Sequence, residues 1–299
     1  MLKSIHPSKN SNGFTLIELS IILVIIGLLV GGVLIGKDLM RAAELRALLS
    51  QKDKYVSAMN IFKQKYNAIP GDMPLTMAAQ FGMFTFDSSA WGAGTSYGNG
   101  DGQIDAQGYE IACNIECGAF WRHLYQSGLL NDIPDTPLEP DSDATCLSGV
   151  PIGTPSPCLN QPQASYMPKA KYGPGFFGVS NISASVILPS MPAMPIETNM
   201  FYIGLNGGPA TLSQNAPAMT AIDAYTVDLK IDDGFPNKGR FATGTYGNLS
   251  YLYYSPSVNS TSTACVTGGT SAVDPNAVYN SNPSTGGNKM VCQPFFLWK

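Results

Sequence analysis

From Phe14 to Gly36 every residue is apolar or glycine except Thr15, Glu18 and Ser20. At ~1.5 Å per residue, a helix of that length spans the ~30 Å hydrocarbon core of a bilayer. The pattern then changes character without stopping. In "KDLMRAAELRALLSQKDKYVSAMNIFKQKY" the residues Leu45, Leu48, Tyr55, Met59, Phe62 and Tyr66 recur near the helical period, with charged positions between them. Neither Gly nor Pro interrupts the chain between Lys37 and Ala68. The spacing predicts one rod on the order of 80 Å, apolar on all sides over 14–36 and amphipathic over 37–68. "NAIPGDMP" follows, and its Pro-Gly pair predicts the end of the rod.

Beyond residue 69 the pattern shifts. Residues 131–175 hold nine prolines and two cysteines and read as loop. Alternating or continuous apolar stretches then predict strands of a mostly antiparallel sheet: "FFGVSNISASVIL", "NMFYIGL", "GRFATGTY", "LSYLYYS" and "VCQPFFLW". Between them, "NAPAMTAIDAYTVDLKIDDG" carries Ile222, Tyr225 and Leu229 at helical spacing. It predicts a helix closed by the Asp232-Asp233-Gly234 turn. Residues 255–288 are rich in Ser, Thr, Asn and Gly and predict a surface loop. The fold class is α+β: a long N-terminal helix packed on an antiparallel head, with 69–299 as one globular, disulfide-bearing domain.

Composition narrows the function. The chain of 299 residues has a net charge of −4 and only 13% charged residues, with its basic side chains scattered. Nucleic acid is therefore not a required partner. Six cysteines beside a membrane-crossing segment point to disulfides in an oxidising compartment. Zinc is disfavoured, since no CxxC pair occurs and there are two histidines. Six cysteines allow 15 connectivities. Local pairing would join Cys113 to Cys117, Cys146 to Cys158 and Cys265 to Cys292. A secretory signal has a shorter apolar core followed by a small-residue cleavage site. Here a polar stretch, "MLKSIHPSKNSNG", precedes the apolar run and no such site follows it.

Glu18 is the anomaly. A carboxylate inside a span costs up to about 3 kcal/mol at the helix centre and less near an end. The span contains no basic side chain to answer it, which directs the search for its partner to another chain. "GFTLIEL" after a short Lys-containing leader resembles the cleavage and methylation signature of type IV prepilins and type II secretion pseudopilins. The resemblance implies a leader at 1–13, cut by a prepilin peptidase after Gly13 and followed by methylation of the new terminus, Phe14. It also implies a role in filament assembly for Glu18. The liberated α-amino group, with an ordinary pKa near about 7.8, is largely cationic. Two opposite charges ~4 Å apart gain roughly 4 kcal/mol at an effective dielectric of about 20, before desolvation is deducted.

The implied protein is a structural, non-enzymatic filament subunit, anchored by one span in a bacterial inner membrane. Its partners would be identical or homologous pilin subunits, the prepilin peptidase, an inner-membrane assembly platform and membrane lipid. Its head would lie in the periplasm or on an extracellular filament. Basic residues flank both ends of the span (Lys3 and Lys9 before it; Lys37, Arg41 and Arg46 after it). The orientation thus comes from the cysteines and the resemblance, not from the charges. The mid-helix proline common in pilins is missing. The alternatives are a membrane-anchored periplasmic binding protein and a filament-tip adhesin.

One ligand site stands out in the head. In "YGNGDGQIDAQGYE", Asn99, Asp101, Gln103 and Asp105 present oxygens around glycine turns, with Glu110 close behind. Asn99, Asp101, Gly102 and Ile104 align with a calcium loop of the EF-hand type, whereas Tyr97 and Gly108 stand where its first and last acids belong. Calcium and a plain Asn-Gly-Asp turn are both compatible. Calcium is the only cofactor the sequence suggests. No nucleophile or metal cluster accompanies His123 in "AFWRHLYQ", which reads as a structural residue on an amphipathic helix.

Overall fold

The computed structural model describes residues 15–83, 98–104, 116–132, 167–182, 198–204, 218–236, 238–244, 265–267, 278–282, 287 and 290–298. Helix α1 runs unbroken over Leu16–Tyr66. It stops at Asn67, whose φ of 51° is the left-handed conformation that ends many helices. The Asn67 N–H still reaches back to the Lys63 carbonyl at 2.9 Å. The chain divides into two compact units, 1–46 and 47–299. In the first, the large apolar side chains from Leu16 to Met40 are exposed; Leu16 is 88% and Leu28 73% exposed. Nothing within the described chain covers them. The second unit is the head, and α1 enters its core with Leu48, Tyr55, Met59 and Phe62. The predicted helical period places these on one face.

Two short helices follow, α2 (Leu75–Gln80) and α3 (Glu116–Gln126). The sheet is formed by β1 (Phe176–Ile182), β2 (Thr198–Gly204), β3 (Met219–Thr220), β4 (Phe241–Gly244) and β7 (Met290–Trp298). All pairings are antiparallel, in the order β1-β2-β7-β3, with β4 also on β7. Strand β7 carries Pro294, which cannot donate to a ladder. The pairing with β2 ends at Phe295, and Thr243, opposite Pro294, donates its N–H to the Pro236 carbonyl.

The core is aromatic. Tyr55 of α1 meets Trp121 of α3 edge-on at 4.9 Å and Phe177 of β1 at 5.2 Å. Phe120 meets Phe201 at 5.7 Å, and Phe296 meets Phe241 at 5.1 Å. Such aromatic pairs add about 0.5–1.5 kcal/mol each beyond the area they bury. Gln51 fixes the register of α1 against the chain before β1. Its amide donates to the Lys169 carbonyl and accepts the Lys171 N–H, both at 2.8 Å.

Two sequence expectations change here. Helix α4 (Ala221–Ile231) forms, yet Tyr225 and Leu229 lie outward; its buried face is Ala221, Ala224, Val227 and two acids, Asp223 and Asp228. Residues 255–288 are not wholly a surface loop. They contain the hairpin β5 (Val266–Thr267) and β6 (Val278–Tyr279), in which Val266, Tyr279 and Asn280 are buried. Cys265, just before β5, is disulfide-bonded to Cys292 of β7 and ties this hairpin to the sheet. Hairpins this short leave little period-two pattern to read. The stretch "LSYLYYS", Cys113, Cys146, Cys158 and the side chain of Cys117 lie outside the described residues.

Candidate functional site

The N-terminal end of α1 is built from local chemistry. Helices begin with N–H groups that have no carbonyl partner within the helix. Thr15, just before the first helical residue, accepts the Glu18 N–H on Oγ1 at 3.3 Å. Glu18 Oε2 in return accepts the Thr15 N–H and the Thr15 hydroxyl, both at 2.8 Å. This reciprocal pairing of a Thr with a Glu three residues on is a capping box, and the acid also sits favourably at the positive end of the helix dipole. The expectation that Glu18 has no partner in its own chain is therefore corrected. The signal in the sequence is the T-x-x-E spacing, in which a hydroxyl and an N–H rather than a counter-charge answer the carboxylate. Both bonds fall on Oε2, and among the described residues Oε1 meets no donor. Gly13 and Phe14 precede the described residues.

The loop at 98–104 is organised around an acid that sequence reasoning did not single out. Asp72, buried after the end of α1, accepts the N–H groups of Gly100 at 2.7 Å and Gly102 at 2.8 Å. Burial pushes its carboxyl up to about 6. The N–H groups of Gly102 and Gly100 pull against that, and the Asp101 charge adds to it. The candidate ligand oxygens bond within their own loop. Asn99 Oδ1 accepts the Asp101 N–H, and Asp101 Oδ1 accepts the Gln103 N–H, each at 2.8 Å. Asp101 Oδ2 takes the Asn99 amide at 3.1 Å. From β2, Asn199 holds both sides of the loop, accepting the Ile104 N–H at 2.9 Å and donating to the Gly102 carbonyl at 2.8 Å. The described half thus converges N–H groups on a carboxylate. Asp105 and Glu110, needed to complete a cation shell, lie outside the described residues.

A second acidic group closes α4. Asp228, Asp232 and Asp233 bring carboxylate oxygens within 4.8 Å of one another. Each has protein donors. Asp228 accepts the Tyr279 hydroxyl at 2.7 Å and the Gly234 N–H at 3.1 Å. Asp232 accepts the N–H groups of Arg240 and, at 2.9 Å, Phe241. Asp233 accepts the Phe235 N–H at 2.9 Å. Gly239, with φ +77°, is required here: a Cβ would fall 2.1 Å from Asp232 Oδ2. Burial and the neighbouring Asp232 push the Asp228 carboxyl up to about 8, against the Tyr279 hydrogen bond. For Asp232 burial acts upward, but the hydrogen bond from Asp228 and the backbone N–H groups outweigh it, and its carboxyl lies below the usual range. Asp228 keeps the proton that the pair shares. This arrangement satisfies the acids without a cation.

His123 of α3 is buried and accepts the Gly71 N–H on Nδ1 at 3.0 Å, with its ring stacked on Phe62. It has a holding role in the head.

Of these places, the end of α1 is the one that the comparisons address. Residues 8–34 match the family described as the prokaryotic N-terminal methylation motif. The chain therefore carries a type IV prepilin/pseudopilin-type signature, on a long apolar helix that continues into an α+β head. No curated protein and no solved structure matches the chain.

Proposed function

Starting from a prepilin-type N-terminus on a pilin-like α+β chain, we propose that this protein is a structural subunit of a type IV pilus or type II secretion pseudopilus-like filament. The observation that carries this reading is the methylation motif at 8–34 lying on a helix whose large side chains from Leu16 to Met40 are exposed. That surface is long and apolar enough to cross a membrane. In a filament the same surface would be covered by neighbouring copies.

The steps follow from the chemistry of this end. A membrane peptidase cleaves after Gly13, and Phe14 becomes the methylated terminus. The new amine is a cation at the membrane face. Glu18 Oε2 is occupied in the capping box, and the carboxylate's second oxygen, Oε1, has acceptor capacity of its own. An adjacent subunit's terminus can reach that oxygen without uncapping the helix. Pairing offsets the cost of holding the acid in lipid and fixes the axial stagger between subunits. The disulfide-bonded head would fold on the oxidising side of the membrane.

Mass spectrometry of the protein purified from its host membrane tests this. The expected N-terminal peptide begins with N-methyl-phenylalanine at Phe14. An intact leader on the functional protein would instead favour a solitary membrane-anchored binding protein. A processed terminus on a protein found only at filament ends would favour an adhesin.

A further inference from the structure

The apolar stretch of α1 ends in a short charged collar. The run from Phe14 to Gly36 already fills the ~30 Å hydrocarbon core of a bilayer, yet beyond it Leu39 and Met40 are still 66% and 63% exposed. Around them stand Lys37, Asp38, Arg41, Glu44 and Arg46. Asp38, Arg41 and Glu44 succeed one another at three-residue steps, which sets them in one slanted row on one side of the helix. Their signs alternate: acid, base, acid. Asp38 and Glu44 are exposed, and among the described residues neither takes part in an ion pair. Arg41 is half-buried, and its guanidinium has five donors, enough to serve more than one acceptor.

We propose that this row is a docking surface for a second copy of the chain, in which Asp38 of one copy meets Arg41 of the next and Arg41 meets Glu44. Within the filament reading, on which this rests, Glu18 pairs with the terminus at residue 14 of an adjacent copy, four residues earlier in the chain. Parallel helices joined in that way are offset by about four residues, or ~6 Å. Each residue of one copy is then level with the residue four further along the other. Asp38 comes within one residue of Arg41, and Arg41 within one residue of Glu44, so opposite charges meet at both rungs. At zero offset each group would face its own counterpart, and at an offset of six residues Asp38 would face Glu44. Both arrangements set like against like. Lys37 comes level with Arg41 at the favoured offset, but its long stem lets the ammonium turn back toward the headgroups at the end of the apolar run. Arg46, two residues beyond Glu44, falls on the opposite side of the helix. Leu39 and Met40 gain from the neighbouring copy a cover that lipid does not extend to them.

The yield of sheared fibres from the full-length chain, expressed in its host and scored by immunoblotting against the membrane-bound pool, tests this. Asp38→Arg together with Glu44→Arg turns the row into three like charges, and fibre yield is expected to fall about tenfold or more while the membrane pool holds. Adding Arg41→Glu inverts every sign of the natural row, remakes both rungs and is expected to bring most of the fibre back. A double variant that assembles like the natural chain, or a triple variant that assembles no better than the double, would overturn the proposal. Crosslinking reads the pairing directly. Chains carrying Asp38→Cys and Arg41→Cys, co-expressed and oxidised in fibres, are expected to give a covalent dimer in excess of what either chain gives alone. Fibres without that excess overturn the pairing even where a charge variant fails to accumulate. The two readings fail differently: a natural chain that works without forming fibres sinks the filament reading itself, whereas normal fibres from the double variant sink the row alone.

Discussion

The Glu18 carboxylate combines two effects. Its Oε2 closes the first turn with Thr15, a cap worth about 0.5–2 kcal/mol. Its charge is what the proposed pairing with a neighbouring subunit's amine would use. Glutamine can replace glutamate in a capping box but carries no charge, so Glu18→Gln separates the two. Both Glu18→Ala and Glu18→Gln are expected to leave the protein in the membrane and to abolish its incorporation into fibres, scored by shearing and immunoblotting. Normal incorporation of Glu18→Gln with failure of Glu18→Ala would show that the cap matters and the charge does not. At this scale the sequence was informative about which residue is special, because an acid in an apolar run is visible at any distance. It was misread as to the near partner, since a hydroxyl three residues away does not register as a counter-charge.

At the scale of elements, α4 shows how packing overrides periodicity. Ile222, Tyr225 and Leu229 mark a helix by their spacing, but the face pressed inward is the small one, Ala221, Ala224 and Val227. Small side chains let the helix approach the sheet closely, and the larger Tyr225 and Leu229 are left outside. Between α4, β4 and β6 the closure is polar: Asp228 meets Tyr279, and Asp232 meets the start of β4. The pH dependence of this clamp has a definite sign. The Asp228 carboxyl is raised from its ordinary value, so the stability it contributes is full below that value and is lost as pH rises through about 8. The urea midpoint of the full-length chain in micelles is therefore expected to be lower at pH 9 than at pH 5. Asp228→Asn, which removes the titration and one of the two oxygens that accept from Gly234 and Tyr279, should shrink that difference. An identical slope in the variant would remove Asp228 from the account.

Over the whole molecule, the hairpin β5–β6 is joined to the sheet through Cys265–Cys292, which closes a sequence separation of 27. A loop of that size restrains the unfolded chain by about 3 kcal/mol. Replacing both cysteines by serine is expected to lower the stability of the head by about that much in urea titrations under oxidising conditions. No loss of stability would mean that the hairpin is held by Val266, Tyr279 and the Tyr279–Asp228 bond alone.

The sequence by itself determined the long helix, its change from apolar to amphipathic, the methylation signature and the antiparallel strands, because each is a periodic or contiguous signal carried by neighbouring residues. Only the tertiary structure decided which face of α4 is buried and that a Ser/Thr-rich stretch holds a packed hairpin. It alone brought Asp72 and Asn199 together around one loop and His123 onto Gly71. These partners lie tens of residues apart, and hydrogen bonds between distant backbone and side-chain groups leave no period in a chain. They exist only once burial has removed the water that would otherwise satisfy them.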